Sequence, residues 1–503
     1  MRSRISTAKE KLSQWLVFRA LKKSGLWRRW SHYRAFVRDD DESHWRDGDS
    51  EKNSAGSLAS DEGVQLAAVW VTELYTPSQI NGLFEGIARL GWEHGKSRDE
   101  SVLAWASDVR QGRNAGWTNL GLVTSTPHFA SERVAELPHG VRAAFPVLMS
   151  LTPSITALVI GFHVDDETSN ALDRPLRAAY STLTENGRGM RWWNIALYVL
   201  FNKNIRFSRT IHDPSSQRRR SVANCVSQVE TECTDWVRRN LPGVFSSGLR
   251  EGLFPTATLL VTEVVNPATE NLRHIGAFEG LRIDRDYDAW VSDQWPCARL
   301  VLPGVRDGDG LRLTFSCRRR DAFPEAPGFH DPTSNWTIAY RAGDMIRELL
   351  SRWALTAMLD GYHEQLSGLR DKSAAARSYQ PIGDLKQLRS LIRTRLYDMD
   401  LSVHEVIKFA SDVWYRHNVL SMRRMGSSSA SGPDLVDGLQ NAQHQRATQI
   451  SRESELLKSV LSLSSDISQT ITNLRIQRFV VVLTVVSIGI AIASLYVSVH
   501  PLK

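Results

Sequence analysis

Apolar residues fall into two patterns along this chain. Up to about residue 330 they come in short, nearly continuous runs; beyond it they recur every three or four positions. Leu66–Leu74, LAAVWVTEL, predicts a strand. Thr76 and Pro77 then supply an N-cap and a first-turn proline for a helix through SQINGLFEGIARLGW. Val147–Met149 and Ile155–Val164 flank SLTPS and predict a hairpin. Ser215–Leu241 predicts a long polar helix, and Ala257–Val265, Ala298–Leu302 and Leu311–Cys317 predict strands. Residues 63–330 therefore read as a mixed α/β domain.

Beyond Asp331, Ile338, Met345, Leu349, Trp353, Leu359, Tyr362, Leu366 and Leu369 lie at helical spacing, and Leu385, Leu388, Ile392 and Leu396 form a second stripe. Ser402 and Glu405 have the spacing of a capping box opening a third helix. The helical region spans 331–425, a Gly/Ser linker spans 426–433, and a stalk helix starts near Asp434. Within 434–478, Ile450, Leu457, Ser464 and Ile471 share one heptad position, and Glu453, Val460, Ile467 and Leu474 share its partner. That is the seam of a short coiled coil and predicts a homo-oligomer.

The strongest pattern is the last. From Phe479 to Val499 there are 21 uncharged residues, ~30 Å of helix and enough for a hydrocarbon layer. The expectation is a single C-terminal transmembrane helix in contact with the lipid bilayer. Lys458, Arg475 and Arg478 precede it and only Lys503 follows, which places the large N-terminal part in the cytoplasm, at the cell membrane. Thr484, Ser487, Ala491, Ser494 and Ser498 form a small, weakly polar face suited to helix packing.

Charge changes the picture at the other end. Net charge is +7, yet residues 1–38 carry eleven Lys and Arg against Glu10, and residues 39–62 carry nine acids against Arg46 and Lys52. The first segment mixes those bases with Trp15, Phe18, Trp27 and Trp30, a basic amphipathic pattern suited to anionic lipid. The second reads as an acidic flexible linker. Neither implies specific nucleic-acid binding. Four cysteines without CxxC spacing exclude a disulfide framework or a zinc site of that kind.

Candidate chemistry is sparse. GWEHGKS at Gly91–Ser97 has three residues between glycine and Gly-Lys-Ser where a phosphate loop needs four. His163 and Asp165 share a strand face and are the weak metal candidates. Asp307–Gly310 reads as a turn, and His363–Glu364 and His404–Glu405 lack the second histidine of a zinc protease. No catalytic residue and no cofactor is assigned. The arginine clusters Arg218–Arg220, Arg318–Arg320 and Arg423–Arg424 are candidate phosphate contacts.

The order of parts over residues 140–499, an α/β domain, long helices, then a stalk entering a span, resembles the CorA-type magnesium transporter superfamily. That resemblance implies an oligomeric ion pore. The family's Gly-Met-Asn motif has no counterpart in SLYVSVHPLK, so none of its ion-selecting residues is carried over. The residues favour an oligomeric scaffold or sensor without chemistry of its own over a pore, and either over an enzyme on the α/β domain.

Overall fold

A computed structural model describes residues 46–93, 101–113, 116–126, 133–186, 209–270, 272, 276–284, 289–304, 310–323, 331–379, 397–412, 415, 420–425 and 434–499. Its centre is an 11-stranded mixed sheet. From one edge run β13 (Arg423–Arg424), β10 (Ala289–Val291), β11 (Ala298–Val301), β12 (Leu311–Arg318) and β9 (Pro255–Thr262). Then come β1 (Val64–Tyr75), β6 (Ile155–Val164), β5 (Val141–Thr152), β3 (Val123–Thr124) and β4 (Arg133–Val134), with β2 (Trp117–Asn119) also on β5. A separate hairpin pairs β7 (Leu183–Asn186) with β8 (Arg209–His212). Most neighbours are antiparallel; β9 and β12 run parallel, Leu313 opposite Ala257.

The central strands carry apolar residues at consecutive positions because both sheet faces are covered. Every residue of β6 and β9 is buried. On one face lies α4 (Pro214–Asn240), whose Trp236 meets Phe162 edge to face at 5.8 Å. On the other lies α5 (Asn335–Tyr379), 45 residues long. Gly161 lets that side close, since a Cβ there would stand 2.6 Å from Trp70 Nε1. The SLTPS hairpin forms with Met149 opposite Ala157. The helix after β1, α2 (Ile80–Arg89), starts later than Thr76-Pro77 suggests, because Thr76 to Gln79 first make a turn. Gly91, at φ 69°, ends that helix: the Trp92 amide donates to the Ile87 carbonyl at 2.9 Å. GWEHGKS thus opens as a helix stop, and residues 94–97 lie outside the described residues.

Part of the acidic linker is ordered. Asp49–Gly56 forms α1. Asp49 accepts from the Thr182 amide and hydroxyl at 2.7 and 2.6 Å, and Glu62 accepts from the Gly63, Glu263 and Val265 amides. Acids in that run are satisfied by backbone donors of the folded domain, which composition does not reveal.

The helical region packs on the sheet. The hydrophobic cluster runs without a break from Leu58 through Ile346 and Leu355 to Leu457. A helix over residues 397–410, α6, already contains Ser402 in its interior. The capping-box reading fails there because Glu405 accepts from the Ser154 amide and hydroxyl at 2.7 and 2.6 Å. The last helix, α7 (Leu435–Val499), has 65 residues. The stripe Leu385, Leu388, Ile392 and Leu396 lies outside the described residues.

Among the described residues no helix is long and apolar enough to cross a membrane. The expected transmembrane helix at Phe479–Val499 is corrected on that ground. So is the single-pass placement in the cell membrane with a cytoplasmic N-terminus. The fold is a large mixed sheet with helices.

Candidate functional site

A cleft of about 510 Å³ opens where β6, β9 and β12 end, β1 and β5 begin and α5 starts. Its wall includes Gln65, Arg142, His163, Asp166, Arg319 and Trp336. Antiparallel pairing and the parallel β9–β12 pair bring these distant residues to one sheet end.

One side of the cleft is saturated with hydrogen bonds. Arg319 Nε donates to Glu263 at 2.6 Å, and its Nη2 donates to Gln65 at 2.5 Å and to Asn335 at 3.0 Å. Asn335 Nδ2 donates to Gln65 at 2.8 Å and to Ser169 at 2.9 Å. Every donor here has a named acceptor, so this side is scaffolding.

The other side is not saturated. His163 is 3% exposed and stands between Phe145 and Trp336, with ring centroids 4.8 and 4.9 Å away. Its Nδ1 has no hydrogen-bond partner among the described residues. Burial lowers its pKa to about 3, so the ring is neutral near pH 7. The guanidinium of Arg142 lies 5.9 Å from the centre of the Trp336 ring. Behind His163 is an inner cavity of about 40 Å³ that also meets Asn119, Asp344 and Arg347.

The first turn of α5 completes that side. Ser334 caps it: its hydroxyl accepts from the Thr337 amide at 3.2 Å and donates to the Asp331 carbonyl at 3.0 Å. The Asn335 and Trp336 amides lie in the first turn, where a helix provides no intrahelical acceptor. The positive end of a long helix dipole therefore faces the cleft.

Of the metal candidates, His163 lies near the end of β6 in the cleft wall and Asp165 just beyond that strand. Asp165 caps a short helix, α3 (Asp166–Asn170), accepting from the Thr168 amide at 2.7 Å. Among the described residues no cluster of three or more metal-ligating side chains occurs. The arginine clusters largely serve the fold. Arg218 donates to Asn53 and the Ala178 carbonyl, Arg318 pairs with Asp321, and Arg423 pairs with Asp293. His363 faces Glu453 at 3.4 Å, and Glu364 faces Arg250 at 3.3 Å.

Of the seam residues, Ile450 and Leu457 are buried in the chain's own core. The side chains of Val460, Ile467, Ile471 and Leu474 lie outside the described residues, as do those of Ala491, Ser494 and Ser498. Thr484 and Ser487 donate to the carbonyls of Val480 and Leu483, both at 2.8 Å, so their hydroxyls are satisfied within the helix. Residues 1–38 lie outside the described residues.

Sequence reading missed Trp336, Asn335 and Arg142. The legible signals were Ser334 three residues before Thr337 at the start of a helical stripe, and a histidine in an otherwise apolar strand. No family model, curated protein or solved structure matches the chain. The CorA-type resemblance rests on the order of parts alone.

Proposed function

We propose that this chain is a sensor without chemistry of its own: a ligand enters the cleft, and α5 carries the response to α7. The carrying observation is that one helix belongs to both places. α5 begins in the cleft at Asn335, and ~25 Å further along, from Arg352, it packs on α7. Gln443 of α7 donates to the Arg352 carbonyl at 2.7 Å and to Thr356 at 2.9 Å. Arg446 donates to Asp360 at 3.1 Å. The contact positions rise together along both helices, so the two run parallel. Arg352 is also held between the rings of Phe409 and Tyr415, 4.6 and 4.7 Å away, which ties both helices to α6 and its flank.

The test is to screen small molecules by thermal shift on the full chain, then follow amide hydrogen exchange over residues 435–457. A compound that protects wild type but not Trp336→Ala is expected to change exchange in α7. A cleft-binding compound that leaves α7 unchanged would defeat the proposal.

Self-association belongs to the same reading. Ile476 and the apolar residues between Phe479 and Ile490 are 53–66% exposed in one chain, a contiguous apolar surface of the kind that marks an interface. Val460 and Ile467 continue the heptad toward it. The double change Val460→Asp with Ile467→Asp should abolish inter-chain cross-linking; cross-links that survive it would remove the homo-oligomer from the proposal.

A further inference from the structure

The cleft also limits what its ligand can be. Among the lining charges, Arg319 and Glu263 are paired at 2.6 Å and offer each other their charge. Arg142 stands by Trp336, beside the first turn of α5, and Asp166 begins α3. The side made by Arg142 and α5 is therefore positive, with the Asn335 and Trp336 amides in a first turn that supplies them no intrahelical acceptor. A helix start alone would be weak ground. The independent observation is His163, 97% buried by its 3% exposure, part of the same wall and with Nδ1 unpartnered. A buried ring nitrogen without a partner costs about 1–3 kcal/mol, a cost that a bound group can relieve.

Resting on the sensor reading, we propose that the cleft takes a small anion, a carboxylate or a tetrahedral oxyanion such as a phosphate ester. The Asn335 and Trp336 amides and Arg142 hold the charge, and His163 donates a hydrogen bond.

An anion there favours the protonated ring, so binding takes up a proton. The charged and titratable groups facing His163 are Arg142, Asp166, Glu263 and Arg319 in the cleft, with Asp344 and Arg347 across the inner cavity. Arg347 and Asp344 pair at 3.0 Å, so that side adds no net charge.

The probes are sulfate and acetate, titrated calorimetrically into the full chain at fixed ionic strength; sulfate stays fully ionised through the range used. Saturable binding of at least one is expected. Arg142→Ala should weaken it about tenfold, the typical loss for one charged hydrogen bond. Arg320→Ala, an exposed arginine outside the cleft wall, should not change it. Sulfate binding against acetate binding separates the tetrahedral from the planar class. Because burial holds the pKa of the free ring at about 3, sulfate affinity should rise as pH falls from about 6 toward about 4, more steeply in wild type than in His163→Phe, which keeps the ring packing. Melting of both variants checks that they fold. Binding equal in wild type and Arg142→Ala, or no saturation by either anion, would overturn the anion assignment. If a neutral or cationic compound then still binds through Trp336 and alters α7, the sensor reading stands and only the ligand class is lost.

Discussion

β1 joins two sites of opposite character. At its far end Glu73 is fully buried, yet its carboxylate accepts from the Leu74, Phe245 and Ser246 amides at 3.0, 2.8 and 2.9 Å and from the Ser246 hydroxyl at 2.6 Å. Beside it the Tyr75 hydroxyl donates to the Leu241 carbonyl at 2.6 Å. At the cleft end Gln65 is also saturated, but across from it His163 has a buried nitrogen with no partner. Both ends bury polar groups in a sheet that is otherwise apolar. Around Glu73 the matched donors build the fold; at His163 the proposed anion would supply the partner that the ring nitrogen lacks.

The largest expected effect comes from emptying the saturated end. Glu73→Ala leaves the buried Leu74 and Phe245 amides and the half-buried Ser246 amide and hydroxyl without this acceptor and should cost about 3–5 kcal/mol in urea unfolding. Loss under 1 kcal/mol would mean water replaces the carboxylate and the contrast between the ends dissolves. Gly243→Ala should cost about 1–3 kcal/mol, because a Cβ there meets the Leu74 carbonyl at 2.5 Å and Glu73 Cγ at 2.7 Å.

Next come the two pH responses, which have opposite signs. Burial raises the Glu73 carboxyl to about 7 against the pull of its donors. A raised folded pKa gives stability that is full below the unfolded value near 4.5 and is lost as pH rises through about 7. His163 is lowered to about 3, so its contribution is present above the unfolded value near 6.5 and is lost as pH falls toward 3. Relative to wild type, His163→Phe should therefore gain stability on acidification from about pH 7 to about pH 4. Parallel unfolding curves for the two proteins across that range would refute the assignment. The smallest effect is Arg142→Ala, expected to change stability by no more than about 0.5 kcal/mol because the side chain is exposed. A large loss would make Arg142 part of the scaffold.

The sheet and long helices were legible for one reason. β1, β6 and β9 are buried on both faces, so their residues read as apolar runs. The α5 stripe and the start of α7 after Gly426–Pro433 followed helical spacing and breaker residues. The cleft was not legible, because Gln65, Arg142, His163, Arg319 and Trp336 come from five separate segments. Pairing across the sheet, not spacing along the chain, makes them neighbours. The misread capping box has a similar cause: Glu405 answers Ser154, 251 residues away, and local spacing holds no trace of it.

The length of α7 turns a small event at its base into a large one at its tip. Past Leu457, 42 residues remain to Val499, ~63 Å of rod at 1.5 Å per residue. Pivoting that rod by about 5° at Leu457, where it leaves the core, sweeps its end through ~5.5 Å, the rise of a whole helical turn. A side-chain adjustment too slight to reshape the sheet would thus be written out as a displacement of molecular size, by leverage alone.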